Sequence, residues 1–163
     1  MARTYSIGRQ FTAWGLVFVQ VLLLVGLVWL PGDRRWPVPV WQAVLGVAMV
    51  VVAVVVAVAA AAGLGAGLTA SPLPARTAQL RTTGMYACVR HPIYSALLLG
   101  GAGVVLLGGR VERIWLWLAL LAVLLMKTRL EEAALAARFP DYPTYAATTP
   151  RLVPIPLRGR PRH

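Results

Sequence analysis

Two short polar clusters hold most of the side chains in this chain that can do chemistry. The first is Gly84-Met85-Tyr86-Ala87-Cys88-Val89-Arg90-His91-Pro92-Ile93-Tyr94, which contains one of only two histidines, the other being His163 at the end. Pro92 suits the first position of a helix, where its missing N–H costs nothing. Arg90 and His91 then stand at a helix entrance, where free backbone N–H groups and the positive end of the helix dipole suit an anionic group. A plain membrane boundary explains an Arg-His pair equally well. The second cluster is Lys127-Thr128-Arg129-Leu130-Glu131-Glu132.

That second cluster follows an apolar stretch, Ile114 to Met126, of thirteen residues. At a rise of about 1.5 Å each they reach about 20 Å, short of the roughly 30 Å hydrocarbon layer. A spanning helix must therefore continue into the charged residues. No proline or glycine stops it before Pro140, and Ala133 to Ala137 favour it. Two carboxylates and two cations are thereby placed at or just inside the interface, where such groups are costly unless paired or facing a wet cavity. Pairing along the helix, Lys127 with Glu131 and Arg129 with Glu132, is one way to satisfy them. The other is a cleft in which His91, Tyr94, Glu131 and Glu132 meet.

The elements that must position these clusters are membrane helices. Hydrophobic residues make up 59% of the 163 and charged residues 13%, with mean hydropathy +0.72. Soluble domains carry about 25% charged residues, so an all-α integral membrane protein is expected. Spans are expected at about 11–30, 40–64, 92–109 and 114–132, forming one membrane domain over 1–163. Pro31-Gly32-Asp33 ends the first, and Ser71-Pro72 and Pro74 follow the Val/Ala-rich second. The first apolar run is too long for a signal peptide. Asp33-Arg34-Arg35 and Gly108 to Arg113 make short outer loops. The acid-free connection with Arg76, Arg81 and Arg90 lies on the cytoplasmic side, as do both termini, by the positive-inside rule. The basic end, Arg158 to His163, lies against anionic headgroups. If the source is bacterial, the membrane is the plasma membrane.

The net charge of +11 belongs to residues flanking apolar runs and not to an aromatic-studded basic face, so nucleic acid is not expected as a partner. The single Cys88 excludes an internal disulfide, and with one internal histidine it leaves no metal site.

Gly84-x-Tyr86-x-x-Val89-Arg90-His91-Pro92-x-Tyr94, followed one helical hairpin later by Glu131-Glu132-x-x-Leu135-x-x-x-Phe139, Asp141-Tyr142-x-x-Tyr145 and Pro154, resembles the membrane-embedded methyltransferases. These include the isoprenylcysteine carboxyl methyltransferases and the related phospholipid N-methyltransferases. The resemblance covers the last half of the chain. It implies S-adenosylmethionine as methyl donor, with S-adenosylhomocysteine as product, bound in a cytoplasmic pocket. That pocket is formed by the 80–94 loop, the end of the fourth helix and the C-terminal tail, within a cofactor-binding half at 78–154. The cofactor-binding residues it implies are Leu80, Arg81, Tyr86, His91, Pro92, Ile93, Tyr94, Glu131 and Glu132.

In the prenylcysteine enzymes an arginine that binds the substrate carboxylate lies four residues before the first glutamate. Lys127 holds that place here, with Arg129 nearby, and lysine keeps the charge without the bidentate fork. Lys127 and Arg129 are expected to orient an anionic head while a lipid chain enters sideways from the bilayer. The expected reaction is methyl transfer to a carboxylate of a prenylated or lipid-like substrate, with N-methylation of an ethanolamine-type headgroup as the alternative. A non-catalytic lipid-binding scaffold is the competing class.

Overall fold

The computed structural model describes residues 6–31, 36–74 and 78–155, all but the side chain of Ala66. Asp33-Arg34-Arg35, Arg76 and the basic stretch from Arg158 to His163 lie outside the described residues. Four long helices carry the fold: α1 Ile7–Trp29, α2 Val40–Leu64, α4 Pro92–Gly108 and α5 Val111–Arg138. Two short ones, α3 Met85–Cys88 and α6 Tyr142–Thr148, lie in the polar connections, and no strand occurs among the described residues.

Each boundary has a local cause. α2 ends where Gly65 takes φ +52° and a single 3₁₀ turn, Gly65–Gly67, leads into the proline-rich segment. α4 begins with Pro92 at its first position and ends at Gly109, whose φ of +61° and ψ of +34° is the left-handed cap that glycine adopts without strain. α5 runs uninterrupted for 28 residues, about 42 Å, through both cations and both glutamates.

α1 and α2 are long and apolar enough to cross a membrane, and α4 is a shorter apolar helix. Their outer faces are large and hydrophobic: Phe11, Phe18, Val25, Val44 and Val55 are all exposed. Water would not tolerate so continuous an apolar surface, whereas lipid tails would cover it. This is an all-helical membrane protein.

Packing runs in two pairs, α2 along α4 and α1 along α5, with α4 also touching α5 and α1. No Cα of α1 comes within 8 Å of one in α2. In lipid there is little hydrophobic drive between helices, so close backbone approach matters more. A Cβ on Gly103 would stand 2.6 Å from the Gly46 carbonyl oxygen, and one on Gly46 would stand 2.9 Å from that of Gly103. These two glycines are what let α2 and α4 touch. Tyr94, Leu120 and Leu124 form the buried centre, with Leu23, Leu24 and Leu97 packed around them.

Candidate active site

α4 starts, and α5 ends, at the same side of the bundle, and the segments around them converge there. His91 is the N-cap of α4, its side chain buried, and its ring stacks on that of Tyr94 with centroids 5.4 Å apart and planes 9° apart. The Tyr94 hydroxyl donates to Glu131 Oε2 at 2.9 Å. His91 Nδ1 lies 3.7 Å from the same carboxylate oxygen, while its Nε2 donates to Glu132 Oε1 at 3.2 Å. The two ring nitrogens thus face two different carboxylates.

The two glutamates have different surroundings. Glu132 is the hub of an ion network. Arg151 reaches it with Nε at 3.0 Å and Nη2 at 2.6 Å, and Arg90 Nη2 lies 3.2 Å away. Glu131 accepts from Tyr94 and lines a cavity of about 470 Å³ together with Tyr86, Arg90, His91, Pro92, Ile93, Tyr94 and Lys127. That volume lies within the roughly 300–1,000 Å³ of small-molecule sites. A cleft of about 70 Å³ shares Tyr86, Arg90 and Glu131 with it and is lined further by Leu80, Arg81, Tyr142 and Tyr145. Arg90 Nε and the Tyr142 hydroxyl are buried there without a partner among the described residues.

Several expectations need correction. The backbone N–H groups at the start of α4 are not all free: Arg90 N–H donates to Pro150 O at 2.9 Å and His91 N–H to Arg151 O at 3.1 Å. The Ser95 hydroxyl adds a 2.6 Å bond to Leu152 O, so the chain after α6 is stitched across this helix entrance. Glu132 does not line the cavity, because both its oxygens are taken by Arg90, Arg151 and His91. Neither pairing along α5 forms. Arg129 is exposed and does not line the cavity, since it lies about 200° around the helix from Lys127.

Lys127 is buried, and its Nζ donates to Gln20 Oε1 at 2.5 Å and to Ala70 O at 3.0 Å, 5.2 Å from the centre of the Tyr94 ring. Glu131 is therefore left to Tyr94 and His91. Gln20, the fourteenth of the 23 residues of α1, was not singled out by sequence reasoning. Its signal was there to be read: a carboxamide in the middle of a span is costly without a polar partner. Tyr142 and Arg151 were likewise not singled out as site residues, and nothing local marks where they fold.

Outside the helices that span, burial pushes the Tyr86 and Tyr142 hydroxyls well above the usual tyrosine range, helped by Glu131 and Glu132 respectively. Tyr145 is pushed up to about 12, burial outweighing the nearby Arg90 guanidinium. All three stay protonated donors, and Tyr145 uses its proton on Tyr86 O at 2.6 Å.

Comparison with curated proteins and with solved structures finds no match. A family model does match: that of the phospholipid methyltransferases, over residues 41–141. The match begins at the top of α2 and ends just before α6, so it spans both polar clusters and the α4–α5 hairpin that brings them together. It leaves out α1, and with it Gln20. With more than half of its length matched, the segment that carries the His91, Tyr94 and Glu131 cluster included, the chain belongs to the phospholipid methyltransferase family, membrane enzymes that methylate lipid-like substrates.

Proposed function

We propose that this protein is an S-adenosylmethionine-dependent methyltransferase crossing the membrane four times, through α1, α2, α4 and α5, with both termini in the cytoplasm. Its substrate is a lipid with an anionic head, which enters from the bilayer. The observation that carries this reading is Glu131: a carboxylate lining a cavity of about 470 Å³, fixed by the Tyr94 hydroxyl and flanked by His91.

The residues present suit such a cofactor. Glu131 offers a carboxylate for an amino group or ribose hydroxyls, and His91, whose two ring nitrogens face Glu131 and Glu132, holds that carboxylate in place from the cavity wall. The unpartnered Tyr142 hydroxyl and Arg90 Nε, both lining the adjoining cleft, are buried donors without a protein acceptor. Leaving a buried donor unsatisfied costs about 1–3 kcal/mol, which a polar ligand would relieve. Leu80, Arg81, Tyr86, Pro92 and Ile93 form the remaining walls, within a cofactor-binding half at 78–154. Glu132 supports the site from behind by holding His91 and the tail.

The bound cofactor supplies a methyl group already activated on a sulfonium. The chain's residues then have mainly to align the acceptor and keep water out. Lys127 orients the anionic head, and a carboxylate acceptor needs no general base. Methylation of a lipid carboxylate is therefore the first reading. N-methylation of an ethanolamine-type head is the second, favoured by the family match itself.

The test is calorimetric titration of the purified protein with S-adenosylhomocysteine, beside Glu131→Ala and His91→Ala. Micromolar binding by the wild type, lost in both variants, is the expected result. A folded wild type that binds none of it would overturn the proposal in favour of a lipid-binding scaffold.

A further inference from the structure

Lys127, which lines the cavity, lacks the planar fork with which arginine grips an oxyanion. The structure offers a second prong. Gln20 Oε1 accepts from Lys127 Nζ, and that assignment is forced, because an ammonium has only donors and a carboxamide nitrogen cannot accept. The Gln20 carboxamide is thereby oriented, and its Nε2 N–H groups have no partner among the described residues. Lys127 has three N–H groups, of which Gln20 and Ala70 take two. Both side chains line the same cavity. One N–H of the ammonium, beside the Tyr94 ring, and the adjacent amide N–H groups thus have no protein oxygen or nitrogen to accept them among the described residues.

We propose that Gln20 and Lys127 together form a two-pronged oxyanion site that recognises the acidic head of the methyl acceptor, a carboxylate or a phosphate diester. Gln20 is a recognition residue contributed by α1, the helix that lies outside the family match. The acceptor's head would lie between this donor pair and the Tyr94–Glu131 end of the cavity, one helical turn along α5. Here the low dielectric strengthens a charge-assisted hydrogen bond. The inference rests on the proposed function for calling the ligand a methyl acceptor, but the anion site itself can be tested without turnover.

The experiment uses the full chain in nanodiscs of neutral lipid and measures binding of dodecyl methyl phosphate, a monoanionic diester, of dodecanoate and of uncharged dodecanol, with S-adenosylhomocysteine binding followed in parallel. Gln20→Glu separates recognition from structure. It keeps the acceptor that clamps Lys127, and so any structural role, but it removes the N–H groups and adds a repelling charge. The wild type should bind one of the two anions at least about tenfold more tightly than dodecanol, and Gln20→Glu should lose that preference with cofactor-product binding unchanged. Tighter dodecanoate binding points to a carboxylate acceptor, and tighter dodecyl methyl phosphate binding to a phospholipid. Gln20→Leu should also lose the preference, and adding Lys127→Arg should restore it, because the guanidinium fork supplies both prongs.

Anion binding by Gln20→Glu equal to that of the wild type would overturn the proposal, as would a wild type that does not prefer anions over dodecanol. A wild type that binds anions through Gln20 but no S-adenosylhomocysteine would leave the anion site standing and remove the methyltransferase reading.

Discussion

Replacing Glu132 by alanine is the perturbation whose cost follows most directly from the geometry. Its side chain and that of Arg90 are each 13% exposed, and His91 is buried. Removing the carboxylate strands one buried guanidinium and one imidazole, and truncating one partner of a buried pair costs about 3–5 kcal/mol. The bidentate bond to Arg151 is the shortest in the network, at 2.6 Å, yet that side chain is 38% exposed and screened by solvent. Its own contribution is discounted to about 1 kcal/mol or less. Glu132→Ala should therefore lower the unfolding midpoint by about 6–20 °C, at roughly 2–4 °C per kcal/mol for a chain of this size. Arg151→Ala should lower it by about 2–4 °C or less by the same scaling. Thermal unfolding followed by tryptophan fluorescence in detergent reads both. Hydrogen exchange adds a local readout, since the amides of Arg90 and His91 donate to Pro150 and Arg151 and should lose protection when the tail is released. Equal, small shifts in the two variants would refute the reasoning, because the buried charges would then be satisfied without Glu132.

Tyr94→Phe removes the 2.9 Å bond to Glu131 but keeps the ring stacked on His91, and should weaken S-adenosylhomocysteine binding about tenfold or more with little change in stability. Arg129→Ala should leave the thermal midpoint and any methyl transfer at wild-type values, because the side chain is exposed and faces away from the cavity. Gly103→Leu should cost about 1–3 kcal/mol or abolish expression, since its Cβ would meet the Gly46 carbonyl oxygen at 2.6 Å. Thermal unfolding checks it. Tyr145 has a folded-state pKa raised to about 12 from 10.0, so the folded protein holds this proton longer than the unfolded chain. Its contribution should be complete below pH 10 and fade as pH rises from there towards 12, a slope that Tyr145→Phe removes.

Much of this protein was legible as sequence because it depends on local chemistry. Apolar run length and the glycines and prolines at their ends placed α1, α2 and α4 within a few residues. The brevity of the run at 114–126, with no breaker before Pro140, required α5 to carry Lys127, Glu131 and Glu132 on one continuous helix. Both polar clusters were visible for the same reason, since charge is conspicuous in an apolar chain. What the sequence left open was which polar groups meet. Pairing along α5 looked reasonable from spacing alone, yet Lys127 turned to Gln20, 107 positions away, and Glu132 to Arg90 and Arg151. These partners follow from how α1 docks on α5 and from the closeness of α2 and α4 that Gly46 and Gly103 permit, neither of which has a local periodicity. The tail over the α4 entrance is of the same kind. Its backbone carbonyls have no side-chain identity to betray them, and only the tertiary structure decides that Arg90 and His91 supply the N–H groups they need.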